Sequence, residues 1–228
     1  MNWLLIVIGC IILFCVITGY RKGGTRTGLL LVIMTASIVL ALFLLPYISE
    51  ILTSVTPIDT QLREKYRMMS ELEETDIENS RLRQIKLMEE ANIPDVYKEA
   101  LIANNNYEVY QRVDAQNFTE YVGAYISYIS ERFLVFLCTF IIAFVIFHKT
   151  IHSTGILDWI EESSVSSRIM GTCLGIGTGI LTVWIVFCFV ILMYDFDIGK
   201  LCYTYIHESR ILEFLYDQNM FIKYIIRL

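Results

Sequence analysis

His148 and His152 stand four residues apart, so a helix would carry both imidazoles on one face. Metal sites use that spacing. A third ligand would have to come from Asp158, Glu161 or Glu162, and nothing in the sequence fixes those in place. The pair reads instead as interfacial histidines at the cytoplasmic edge of an apolar segment. Adjacent carboxylates at Glu73-Glu74 and Glu89-Glu90 sit in charge-rich stretches with cations nearby, which is the pattern of a solvated helix face. No serine stands in GxSxG, and no cysteine has an evident histidine base. Glycine-rich phosphate loops are absent in both the GxGxxG and the GK[ST] form. Of the six cysteines, Cys10, Cys15, Cys138, Cys173 and Cys188 lie inside apolar runs, and no CxxC pair exists. They read as small packing residues. The residues therefore assign no enzymatic activity, no cofactor and no metal.

The spacing that does stand out is physical rather than catalytic. Gly171, Gly175 and Gly179 recur every four residues, with Gly177 between them. On a helix they form a groove into which a neighbouring helix can press at backbone distance. Packing within the chain is the first reading of this groove, and self-association is the second.

The elements that must position these residues are long apolar segments. Residues 1–20 and 27–49 contain no charge, and between them stand Arg21, Lys22, Gly23, Gly24, Thr25 and Arg26. At about 1.5 Å per residue each run covers the roughly 30 Å of bilayer hydrocarbon. In lipid the backbone must satisfy its own hydrogen bonds, so each run is expected to be a helix. A fourth span is equally clear at residues 169–194, bounded by Arg168 and Asp195. The third is shorter, with 15 uncharged residues over 133–147. It gains length from a capping box at Asn117-Phe118-Thr119-Glu120, after which Phe118, Tyr121, Val122, Tyr125 and Ile129 recur at helical spacing. One helix is expected from near Asn117 to His148, with Tyr121, Tyr125 and Tyr128 at the membrane interface. No Asp, Glu, Lys or Arg falls inside the spans. Their polar groups are hydroxyls, among them Thr35, Ser37, Thr139, Thr172, Thr178 and Thr182, which can bond back to the helix, bridge neighbours or line a pore.

Arg21, Lys22 and Arg26 set the orientation. Short basic loops stay in the cytoplasm, which puts both termini outside. The N-terminus lacks a cationic region before its apolar run, so it reads as a retained anchor. Composition agrees with a membrane protein: 55% of residues are hydrophobic, and only three prolines interrupt the chain. The net charge of −6 is uneven, since residues 50–131 carry 16 acidic and 8 basic side chains. No basic face exists to meet the phosphates of a nucleic acid.

The acidic insert reads as several helices. Thr56-Pro57-Ile58-Asp59 is a start signal, followed by a face of Leu62, Tyr66, Met69 and Leu72. Leu82, Ile85 and Met88 mark a second helix; Pro94-Asp95 opens a third with Tyr97 and Leu101, and Asn104-Asn105-Asn106 ends it. The tail offers Ser209 as a cap for a helix bearing Ile211, Leu212, Leu215 and Tyr216. Residues 221–228 look interfacial, because eight residues cannot cross a membrane. The predicted fold is all-α: an integral membrane protein with four transmembrane helices in two hairpins (residues 1–49 and 117–196), an extracytoplasmic helical insert (50–116) and an extracytoplasmic amphipathic tail (197–228).

Gly19-Tyr20-Arg21-Lys22-Gly23 with Arg26 and a long apolar helix resembles the first hairpin of the colicin V production (CvpA) family. Arg168-Ile169-Met170-Gly171, then Gly175 and Gly179, resembles the start of that family's last membrane helix. Glu208-Ser209-Arg210-Ile211-Leu212, through Leu215-Tyr216 and Asn219, is similar to the tail of its longer members. Ser167, Thr178 and Met220 depart from the family pattern. The resemblance implies a multi-span protein of the bacterial inner membrane that serves toxin production or export as an accessory or scaffold. A small oligomeric channel or transporter is the alternative function. The partners expected are the lipid bilayer and a protein, or a second copy, engaged through the membrane glycines and the outer insert.

Overall fold

The computed structural model describes residues 2–55, 81–91, 93–155, 164–194 and 196–226, and every regular element among them is a helix. In chain order these are α1 (Trp3–Val55), α2 (Arg81–Glu90), α3 (Asp95–Ala103), α4 (Tyr107–Arg112), α5 (Phe118–Ser153), α6 (Val165–Leu192), α7 (Asp197–Glu208), α8 (Arg210–Asp217) and α9 (Met220–Ile225). Three of them, α1, α5 and α6, are long and apolar enough to cross a membrane. The expected start at Thr56-Pro57-Ile58-Asp59 and the face of Leu62, Tyr66, Met69 and Leu72 lie outside the described residues.

α1 is two helices that meet at Gly23, whose φ of 77° and ψ of 170° are not helical. That positive φ is open to glycine and costly for a residue with a Cβ. The Thr27 hydroxyl donates to the Gly23 carbonyl at 2.8 Å and approaches the Gly19 carbonyl at 3.4 Å. In an unbroken helix residues eight apart are separated by about 12 Å along the axis. The backbone therefore changes direction at Gly23, inside the basic turn. Pro46 lies within the second arm and removes one hydrogen-bond donor from it.

The described chain forms two compact units. One comprises residues 1–45 and 136–222, the other residues 46–135 and 223–228. The division falls inside α5, between Val135 and Phe136.

The second unit is built on buried tyrosines. Asn117 Oδ1 accepts from the Glu120 N–H at 2.8 Å, which starts α5 as expected. The return bond differs from the motif: Glu120 Oε2 accepts from the Gln116 N–H at 2.8 Å. Tyr121 and Tyr125 are both fully buried. The insert's own helices supply what they need. Tyr121 donates to the Leu101 carbonyl at 2.8 Å, and Tyr110 stacks on its ring at 4.5 Å. Tyr125 accepts from Asn104 Nδ2 at 2.8 Å, and Tyr97 and Ser130 share a hydrogen bond at 3.3 Å. A tyrosine buries its ring favourably once its hydroxyl has a partner.

Local signals in this unit follow the sequence closely. Pro94 flanks the start of α3, Tyr97 and Leu101 form its buried face, and Asn104 ends it. Asn106 then caps α4, accepting from the Val109 N–H at 3.1 Å. Asp114 takes a left-handed conformation (φ 53°) just beyond α4, and the Ala115 N–H closes the turn onto the Tyr110 carbonyl at 3.0 Å. On α2 Met88 is buried while Leu82 is exposed, so the expected stripe is only partly used.

Candidate functional site: the glycine seam and the basic turn

α6 starts at Ser164, whose hydroxyl accepts from the Ser167 N–H at 3.2 Å. About two turns on, the glycine face meets the first arm of α1. A Cβ on Gly171 would strike the Gly19 carbonyl oxygen and lie 2.8 Å from the Gly23 carbonyl carbon. At Gly175 it would lie 2.7 Å from the Cys15 carbonyl oxygen and 3.1 Å from Val16 Cα. At Gly179 it would lie 3.3 Å from Ile12 Cα. The approach is mutual, because a Cβ on Gly19 would strike the Gly171 carbonyl oxygen. The three residues Gly171, Gly175 and Gly179 thus form one seam with the run from Ile12 to Gly23. Gly177 takes no part, having nothing within 4 Å.

Sequence reasoning singled out one side of this seam. Gly19 and Gly23 repeat the four-residue spacing on the other side, a signal present in the chain but absorbed into the reading of the turn. A further tie fixes the turn to α6: the Gly24 N–H donates to Ser167 Oγ at 3.0 Å. The Arg168 guanidinium also lies 6.0 Å from the centre of the Tyr20 ring, within cation–π range.

Arg21, Lys22 and Arg26 are all exposed. Lys22 and Arg26 line a cavity of about 280 Å³ together with His148 and His152, and Leu29, Leu30, Ile33 and Ile151 complete its wall. His148 is held at the end of a ladder of rings on α5. Phe136, Phe140 and Phe144 follow one another at 6.4 and 5.8 Å, and Phe144 stacks on His148 at 5.9 Å. Among the described residues no group of three His, Cys, Asp or Glu is placed to hold a metal. Asp158, Glu161 and Glu162 lie outside those residues.

The tail is clamped by a residue whose role the sequence did not reveal. Asn219 is fully buried. Its amide donates to the Trp184 carbonyl at 2.9 Å, and its Oδ1 accepts from the N–H groups of Phe221 and Ile222 at 3.0 and 3.3 Å. Trp184 answers with an indole N–H to the Leu215 carbonyl at 3.0 Å and a T-shaped contact with Phe221 at 5.5 Å. Ser209 flanks α8 without a side-chain cap, and that helix buries Leu212 and Tyr216 while Ile211 is exposed.

Fold and seam together define a helical protein with long apolar helices fitted to a membrane. No family model, no curated protein and no solved structure matches the chain. The likeness to the CvpA family rests on the motifs quoted above.

Proposed function

We propose that the chain is a four-span protein of the bacterial inner membrane, arranged as two hairpins, with residues 21–26 in the cytoplasm and both termini outside. In this reading it is a CvpA-like accessory or scaffold protein of the cell envelope, tied by resemblance to toxin production or export, and it performs no catalysis. The observation that carries the reading is the division of the apolar segment Trp3–Leu52 at Gly23. Its 50 residues would extend about 75 Å, more than twice the hydrocarbon thickness, whereas each arm fits one crossing. Both arms turn large apolar side chains outward, with Phe14 71% and Phe43 64% exposed, as lipid contact requires and water penalises.

A scaffold is favoured over a pore by the hydroxyls. Ser37, Thr172, Thr178 and Thr182 each donate to a carbonyl one turn back on their own helix, at 2.7 to 3.1 Å. Their protons are committed to the helix, so no O–H is left to solvate a conducted anion. Reconstitution into liposomes tests the choice. The scaffold reading expects no ion flux above that of empty vesicles, and reproducible conductance would overturn it in favour of a channel.

A further inference from the structure

We infer that the cavity lined by Lys22, Arg26, His148 and His152 binds the phosphate headgroup of an anionic phospholipid from the cytoplasmic leaflet. Lys22, Arg26 and two imidazoles line one hollow of about 280 Å³, and among the described residues lining it there is no carboxylate. Cations supply charge-assisted bonds to phosphate oxygens, and a neutral imidazole adds an N–H donor. The rest of the lining, Leu29, Leu30, Ile33 and Ile151, is apolar, which suits a headgroup that leads into hydrocarbon rather than a fully hydrated anion. A second observation points the same way. An open, almost wholly apolar concavity of about 710 Å³ begins at Leu31 and follows the flank of the same arm to Phe43, with Phe147, next to His148, on its other side. Those residues span about 18 Å of helix, close to the depth of one leaflet. Basic pockets at the cytoplasmic side of membrane helices attract anionic headgroups for the same electrostatic reason.

The site rests on the membrane reading, and its test separates the two. Purified protein that remains dispersed without detergent would defeat the membrane reading before any lipid is added. Native mass spectrometry of the detergent-solubilised chain should retain phosphatidylglycerol in preference to phosphatidylcholine. Lys22→Gln combined with Arg26→Gln should weaken that retention roughly tenfold or more, and His148→Ala should weaken it less. Arg21→Gln, which removes an exposed cation outside the cavity, should leave retention unchanged. All these side chains are exposed, so the variants should keep the helical circular dichroism of the parent. Equal retention of both lipids, or an equal loss with Arg21→Gln, would overturn the proposal. Displacement of the lipid by millimolar inorganic phosphate would assign the cavity to a soluble phosphate compound instead.

Discussion

The two compact units solve the same problem with opposite materials. In residues 1–45 and 136–222 the close contacts run backbone to backbone, Gly171 on Gly19 and Gly175 on Cys15, and the hydroxyls of α1 and α6 turn back onto their own helices. In residues 46–135 the contacts are made by large polar-tipped rings, and the hydroxyls reach across from one helix to another, as from Tyr121 to Leu101. On the proposed membrane reading the difference follows from the solvent. Hydrocarbon offers no hydrophobic gain for bringing two apolar helices together, so association depends on close packing between small residues. Water rewards burial of an aromatic ring, and the buried hydroxyl must then find a partner.

Breaking the glycine seam should have the largest effect. Gly175→Leu forces a branched side chain against the Cys15 carbonyl and should cost about 1–3 kcal/mol or more, read as a lower melting temperature in detergent. Gly177→Leu is the matched control, because that position opens onto nothing within 4 Å and should leave melting nearly unchanged. Equal behaviour of the two variants would erase the distinction on which the seam is built.

The Asn219 clamp, like the tie from Gly24 to Ser167, departs from the backbone pattern of its unit, since it joins separate helices through a side chain. Asn219→Ala removes a helix cap and the bond to the Trp184 carbonyl, and should cost about 1–2 kcal/mol. Trp184 reports the loss directly, through a shift in its fluorescence as the Leu215 and Phe221 contacts loosen.

The smallest effect is one of pH, and it should be confined to the insert. Burial pushes the Tyr110 phenol from 10.0 up to about 12. A raised acid favours the folded state while it stays protonated, so this contribution is whole below the unfolded value and is lost as pH rises through the folded one. With the intrinsic base catalysis of exchange divided out, the protection of the α3 and α4 amides should therefore fall between these two values. Uniform exchange behaviour across α4 and α6 would blur the contrast between the units.

Much of this architecture is legible in the residues because lipid and turn chemistry are local. Uncharged runs mark α1 and α6, Pro94 and Asn104 bracket α3, and Asn117 with Glu120 marks the start of α5. The glycine spacing gave one face of the seam, and the same spacing at Gly19 and Gly23 was there to give the other. The burial of the tyrosines is not legible for a physical reason. A ring with a polar tip suits both a headgroup layer and a small aqueous core, and only the position of α3 and α4 decides between them. Asn219 was obscure likewise, because its partner Trp184 lies 35 residues away and no periodicity links the two.

The central claim is that the chain crosses the membrane before and after Gly23. It is tested most directly by thiol accessibility in a variant with the six native cysteines replaced. Thr25→Cys and Tyr107→Cys both fall at exposed positions, one in the basic turn and one in the insert. A membrane-impermeant maleimide should label Tyr107→Cys in intact spheroplasts and Thr25→Cys only after permeabilisation. Labelling of both positions from the same side would contradict the account.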